Sequence, residues 1–189
     1  MKTEPVRQQE TSMESKYYRG WHLAKTDFEY KTTEFEWAMI RFYEAFSRFV
    51  YTTGSVVMSN DLKVGEHMIL HVIRMQDRPK NSATIARLVN RDDIPNIQYS
   101  LRKLESAGLI EKLRDGKGNQ FNYMVTALGV TVTDEYHDIK AQILIERLNE
   151  LQNAPEKLES LARFLSVLTG VYEEAARDSA TITPNDGTR

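Results

Sequence analysis

The stretch from Ser82 to Val125 constrains the fold of this chain more than any other. Ser82 is a suitable N-cap for a short helix. The apolar residues after it recur at helical spacing, namely Ile85, Leu88 and Val89. A tight turn is expected next, followed by a second helix and a β-hairpin.

The second helix has a recognisable beginning and end. Asp92 or Asp93 is expected to cap it, because the helix dipole favours negative charge in the first turn. Pro95 is compatible with that turn, where a backbone N–H has no partner within the helix. Gly108 follows in the position of a left-handed C-cap. The apolar residues between these ends predict one buried face, formed by Ile94, Ile97, Leu101 and Leu104.

A β-hairpin is predicted after the second helix. One strand is expected from Leu109 to Leu113 and the returning strand from Gln120 to Val125, with a turn at 115–118. Two helices joined by a short turn, followed by a hairpin with cations near its tip, are typical of a winged helix-turn-helix. That fold usually binds DNA, so double-stranded DNA is the expected partner. The expected fold class is mainly α with a small β-hairpin wing, comprising a winged helix-turn-helix lobe and a helical dimerisation body.

A strongly apolar helix is predicted before the lobe, over residues 32–51, with Thr32 or Thr33 as its cap. Apolar residues cover most of its circumference, which is typical of a helix buried between two bodies. We expect these to be the lobe and a partner chain; the alternative is a central core helix of a monomer. A loop over 54–61 and a further helix over 62–75 complete this part.

The end of the chain is also predicted to be helical. A long helix begins at Thr126 and reaches about Leu151, and Asn153–Pro155 break it. The last helix carries the apolar seam of two packed helices, namely Leu158, Leu161, Leu165, Leu168 and Tyr172. The apolar helices from the two chain ends cannot fully cover each other's apolar faces within one chain. This pattern indicates a homodimer.

These patterns predict a division of the chain into five parts. They are a disordered tail (1–20), an N-terminal dimerisation segment (21–60), the winged helix lobe (61–128), the C-terminal dimerisation helices (129–177) and a second disordered tail (178–189).

The charge of the chain is unevenly distributed. The net charge is −2, but the stretch from Arg74 to Lys117 holds ten Lys/Arg and six Asp/Glu. A basic centre between acidic flanks is compatible with DNA binding by the centre alone.

The absence of cysteine excludes thiolate metal sites and suits a reducing cytoplasm. No signal-peptide core and no apolar run of ~20 residues is present, so we expect a cytoplasmic protein without a membrane partner.

Several segments resemble the MarR family of winged-helix transcription regulators. The matching stretches are 62–75, 82–90, 94–110, which ends in Leu-Glu-Ser-Ala-Gly-Leu-Ile, and 114–129, which ends in Thr-Ala-Leu-Gly. Together with the helix over 32–51, the resemblance covers roughly residues 32 to 175. It implies homodimers that bind palindromic operators, commonly as repressors relieved by small ligands.

The second helix of the lobe is the expected reader of DNA sequence. The candidate contact residues on it are Pro95, Asn96, Gln98, Tyr99, Arg102 and Lys103. Asn and Gln side chains can hydrogen-bond to adenine edges, and an Arg side chain can donate two hydrogen bonds to a guanine edge. Arg102, in the middle of the helix, is therefore the best single candidate for a base contact. Arg114 and Lys117 flank the glycine turn and are expected to contact phosphate or the minor groove. The alternatives are an ordinary solvated helix face and an ordinary hairpin tip.

A group of aromatic and histidine side chains is the candidate site for a small aromatic effector. It combines Trp37, Phe42, Phe46, His67 and His71, which come together if the apolar helix crosses the helix over 62–75. The alternative is a plain aromatic core. The four-residue spacing of the two histidines also suits a metal ion. No third ligand has a motif relationship to them, so neither a metal nor a cofactor is expected.

No catalytic constellation is recognisable, because the chain lacks a nucleophile elbow, a phosphate loop and paired carboxylates. An enzyme is therefore not expected. The rival to a DNA-binding regulator is a winged helix that binds proteins without specific DNA binding. Asp92 and Asp93, at the beginning of the reading helix, motivate that alternative.

Overall fold

The computed structural model describes residues 21–58, 61–114 and 121–182. The chain divides into two units with the boundary between Phe49 and Val50, and each is considered by itself below. The predicted tail over 1–20, the wing turn with Lys117 and most of the predicted tail over 178–189 lie outside the described residues.

Helix α1 (Asp27–Val57) is longer than predicted at both ends. Its start is stabilised by reciprocal bonds: the Glu29 N–H donates to Thr26 Oγ1 (3.2 Å), and the Glu29 carboxylate accepts from the Thr26 N–H (3.0 Å). Capping by Thr32 or Thr33 was therefore wrong, since both lie inside the helix and the Thr32 hydroxyl donates to Phe28 O. The loop predicted to begin at Gly54 was also wrong, because helical structure continues to Val57.

Helix α2 (Val64–Arg74) leads through a short 3₁₀ turn (Met75–Asp77) into strand β1 (Lys80–Asn81). Lys80 is buried, and its ammonium donates to the carbonyls of Ile73 (3.1 Å), Met75 and Arg78 (3.1 Å). This lysine therefore satisfies carbonyl groups at the end of α2. Strand β1 was not predicted, because two residues carry no alternation pattern.

Helix α3 (Ser82–Leu88) and helix α4 (Ile94–Ser106) form the helix-turn-helix. The cap of α3 is Asn81, whose Oδ1 accepts from the Thr84 N–H at 2.8 Å, so the prediction of Ser82 was wrong by one residue. Asp93 caps α4, which confirms one of the two predicted alternatives.

The end of α4 is a Schellman motif around Gly108, whose φ is +71°. The Leu109 N–H donates to Leu104 O (3.0 Å), and the Gly108 N–H donates to Glu105 O (2.9 Å). The predicted left-handed C-cap is confirmed.

The wing consists of β2 (Ile110–Arg114) and β3 (Phe121–Val125), and all pairings in the sheet β1–β3–β2 are antiparallel. The helices and the sheet enclose one apolar core in the second unit, and its fully buried side chains are Ile69, Leu70, Ile73, Ile85, Ile97, Leu101, Leu104, Leu109 and Ile110. The mainly α fold with a small β-hairpin wing is thus confirmed.

A long helical segment follows the wing as α5 (Ala127–Lys140), a π-helical stretch (Ala141–Ile145) and α6 (Glu146–Asn149). Asn153, with φ +56°, then precedes α7 (Ala154–Ser179), which extends into the segment predicted to be a tail. Among the helices of the described residues, none is both long and apolar enough to cross a membrane.

Candidate nucleic-acid interface

Helix α4 separates its core-facing residues cleanly from a polar, exposed face. Ile97, Leu101 and Leu104 are at most 1% exposed. Tyr99 is 54% exposed, and Pro95, Asn96, Gln98 and Arg102 are also exposed. The cap at Asp93 and the Schellman motif at Gly108 hold both ends of this helix, so its outer face is presented by a rigid element.

A groove of about 340 Å³ runs between α4 and the sheet. Its lining residues are Asn81, Ser82, Ala83, Gln98, Arg102, Glu105, Lys112, Phe121 and Tyr123. The structure therefore brings two of the predicted DNA contacts, Gln98 and Arg102, to the same concave surface. Within the described residues no carboxylate oxygen lies within 4 Å of the Arg102 guanidinium. Its donors are available to a ligand.

Lys112 is a candidate DNA contact that the sequence analysis missed. It lies on β2 and lines the groove, with its Nζ 3.9 Å from the centroid of the Phe121 ring. Residue alternation along β2 places it on the same sheet face as Arg114, and the register pairs these two residues with Tyr123 and Phe121. That alternation was a usable signal, because Arg114 of the same series was already a predicted DNA contact.

Tyr123 supplies a neutral hydroxyl to the groove. Burial raises the pKa of its phenol, Glu105 raises it further, and Arg102 opposes that shift. The hydroxyl therefore stays protonated at neutral pH and can donate a hydrogen bond to a phosphate or base acceptor.

Two of the predicted contact residues already have partners within the lobe. Lys103 Nζ donates to Asp61 O at 2.8 Å and lies 3.9 Å from Glu66 Oε2. The Asn96 amide donates to the Asp93 carboxylate. Both side chains thus help to hold α4 in place, and their contact with DNA stays a prediction. Lys117 lies outside the described residues, and Arg114 is exposed at the end of β2.

The acidic beginning of α4 is locally balanced. Asp93 accepts from the Asn96 N–H at 3.2 Å, and its carboxylate lies 3.8 Å from Arg91 Nη2. A capping carboxylate also offsets the positive end of the helix dipole. The charge of Asp93 therefore has a structural use and is no specific sign of a protein-binding surface.

The candidate effector residues fall in different units. In the first unit, Trp37 (43% exposed) lies edge-on to Trp21 with ring centroids 5.9 Å apart. Phe42 stacks on Phe46 with a centroid distance of 6.3 Å. Among the described residues of the first unit, these aromatics therefore form no closed core, and their contribution to an effector site stays a prediction.

The two histidines of the second unit are packed into the fold. His67 is 3% exposed, and burial lowers its pKa. The ring centroid of His71 lies 4.4 Å from that of Tyr136 on α5. Burial, and then the charges of His67 and Lys140, lower the pKa of His71 to about 4. The described residues contain no group of three or more His, Asp or Glu side chains placed to hold a metal ion.

Comparison with known proteins agrees with this geometry. Residues 62–129 match the family model of a winged helix DNA-binding domain. Residues 62–129 therefore form a winged helix domain. This domain spans α2 to the beginning of α5 and includes the groove between α4 and the wing. No curated protein sequence matches the chain.

Solved structures extend the similarity beyond this domain. The transcriptional repressor CouR, bound to a 23-mer DNA duplex, is 18% identical with a TM-score of 0.61 over 77% of this chain and 99% of its own. A MarR family transcription regulator is 14% identical, with a TM-score of 0.59 over 80% and 99%. PcaV from Streptomyces coelicolor, in complex with its natural ligand, is 19% identical, with a TM-score of 0.56 over 80% and 99%. At these identities the likeness shows the fold alone, which this chain shares with these three regulators.

Proposed function

We propose that this protein is a sequence-specific transcription regulator of MarR type that acts in the cytoplasm as a homodimeric repressor on a palindromic operator. The observation that carries the proposal is the groove of the winged helix domain. There Arg102 and Gln98, both exposed on α4, lie beside Lys112 of the wing, and no carboxylate of the described residues pairs with Arg102. Side chains that can read base edges thus stand next to a cation that can neutralise phosphate.

A second copy of the chain is the partner that suits the exposed apolar surface. The exposed apolar residues of α7 are Leu158, Leu161, Phe164, Val167, Val171 and Tyr172, each at least 45% exposed. On α1, Ile40, Phe42 and Tyr43 are each more than 50% exposed. Monomeric proteins rarely leave such continuous apolar faces in water. A two-fold dimer would cover them and would present two reading helices to the two halves of a palindrome.

We further propose a small aromatic effector that relieves repression. Its candidate residues are those that the sequence predicts, namely Trp37, Phe42 and Phe46 of the first unit and His67 and His71 of the second. The ligand complex of PcaV supports an effector as a property of this fold. Aromatic rings and imidazoles are side chains that suit an aromatic acid or a phenol.

The experiment is a selection of bound sequences from random DNA by the purified full chain. Affinity for the selected duplex and for a scrambled duplex is then measured against salt concentration. We expect a palindromic consensus and a steep loss of affinity with salt, because phosphate contacts release counterions. A winged helix that only binds proteins would select no consensus and give no steep slope, and that result would overturn the proposal.

A further inference from the structure

Glu66 is a buried carboxylate that joins the beginning of α2 to the middle of the reading helix. Only 5% of its surface is exposed. Its Oε2 accepts from the Lys63 backbone N–H at 2.7 Å, and its Oε1 accepts from the Ser100 hydroxyl at 3.1 Å. One side chain therefore connects two helices through residues that are 34 positions apart in sequence.

Lys103 supplies the opposite charge for this connection. Its Nζ lies 3.9 Å from Glu66 Oε2 and donates to Asp61 O at 2.8 Å. A buried carboxylate is costly unless it is both hydrogen-bonded and paired with a cation. Glu66 meets both conditions with groups from the loop before α2 and from α4. We call the connection between Glu66, Ser100 and Lys103 the Glu66 link.

The Glu66 link lies beside exposed residues of α4, one of which, Arg102, lines the groove. Ser100 and Lys103 directly follow Tyr99 and Arg102 in the sequence. One residue step along an α-helix turns the side-chain direction by about 100°. Fixing Ser100 and Lys103 on the inner side therefore fixes the rotation and the axial position of the outward residues.

We propose that Glu66 is a positioning residue that sets how well the domain discriminates between DNA sequences. This inference rests on the proposed function, because it needs a reading helix that contacts bases. A two-point contact between a guanidinium and a guanine edge requires a fixed orientation. A phosphate contact by an exposed lysine tolerates small rotations of the helix. Loss of the link thus weakens binding to the preferred sequence and leaves binding to random DNA unchanged.

Glu66→Gln and Ser100→Ala test the proposal in the full-length protein. Gln keeps the size of the side chain and can still complete the bonds at the start of α2, while it removes the charge opposite Lys103. Ser100→Ala removes only the hydroxyl that donates to Glu66. The matched controls are Glu135→Gln and Ser106→Ala, because both side chains are exposed on helices of the same unit.

The measured quantity is the ratio of Kd for a scrambled duplex to Kd for the selected duplex. We expect each link variant to lower this ratio about tenfold, equivalent to about 1.4 kcal/mol. The scrambled-duplex Kd and its salt slope should stay at wild-type values, as should the ratio of both controls. The double variant should lose less than the sum of the two single variants, because both changes act on the same three-residue connection.

Three results would overturn the proposal, and they are distinguishable. Unchanged ratios in both variants, with a discriminating wild type, would refute the role of Glu66 alone. An equal loss of affinity for both duplexes, together with a lower unfolding midpoint in urea, would make Glu66 only a stabilising residue. A wild type that does not discriminate would refute the proposed function, and the inference with it.

Discussion

At the scale of single residues, the groove separates two kinds of side chain. Arg102 is exposed on α4 without a carboxylate within 4 Å in the described chain, whereas Lys112 lies on the wing against the ring of Phe121. A guanidinium can read a base edge, and an ammonium acts as a point charge toward phosphate. The two residues should therefore differ in what their loss does to binding.

The first prediction compares Arg102→Ala with Lys112→Ala. Arg102→Ala should cost about 1–3 kcal/mol on the preferred site and relax the preference at particular base positions. Lys112→Ala should weaken binding to all sequences about equally and reduce the salt slope by about one, and we expect the same of Lys117→Ala, from the turn that the sequence predicts. Titration of fluorescent duplexes with single base changes measures both effects. An unchanged base preference in Arg102→Ala would show that another residue reads the sequence.

Gly54 is required by the close approach of His67. A Cβ added at Gly54 would lie 2.3 Å from His67 Cε1, inside a packed region. We expect Gly54→Ala to lower the free energy of unfolding by about 1–3 kcal/mol through overpacking. Gly65→Ala is the control, because its Cβ would meet only Arg91 Nη1 at 3.7 Å. Urea unfolding of both variants provides the comparison, and equal stabilities would argue against the tight packing.

The pH dependence of stability should reflect His71. Its pKa is about 4 in the fold and 6.5 in an unfolded chain. Between these values the unfolded chain binds a proton that the folded chain does not, so the free energy of unfolding falls as the pH is lowered from 6.5 to 4. Above pH 6.5 the imidazole is neutral in both states, so His71 no longer contributes to the pH dependence of the free energy of unfolding. His71→Gln should flatten the curve in this window, and an undiminished slope would place the titrating group elsewhere.

At the scale of elements, the stability of helix α4 depends on its N-terminal cap. Asp93 accepts from the Asn96 N–H, and Asp92 makes no such capping bond. We expect Asp93→Ala to lower the free energy of unfolding by about 1 kcal/mol, and the matched Asp92→Ala to change it by less than half of that. Thermal unfolding of the two variants tests this difference. Equal effects would mean that the acids act only through their charge.

At the scale of the whole molecule, the exposed apolar side of α7 should decide the assembly. Leu161 is 54% exposed in the single chain, and a dimer interface there would bury it. Leu161→Lys should therefore produce monomers or unfolded chains, since an unpaired charge in an apolar interface is costly. Ser166→Lys, at an exposed polar position of the same helix, should leave the dimer intact. Light scattering measures the mass, and a stable, folded wild-type monomer at micromolar concentration would contradict the proposed dimer.

Much of the winged helix domain follows from the sequence because its signals are local. The apolar spacing of α4, its cap at Asp93 and the left-handed Gly108 each involve residues within a few positions of one another. The start of α1 had an equally local signal in Thr26 and Glu29, which form a capping box three residues apart. The start of α1 could therefore have been predicted at Thr26, but the threonines at 32 and 33 were preferred as N-caps.

Only the tertiary structure decides which polar residues of α4 are available to DNA. Lys103 and Arg102 are neighbours with similar charge, yet Lys103 is bound to Asp61, 42 residues earlier, and Arg102 lines the groove. Strand β1 likewise exists only through its pairing with β3. Periodicity and capping concern neighbours along the chain, and they place helices and turns. The partner of a charge is set by which distant segments the core brings together, and no local pattern encodes that distance.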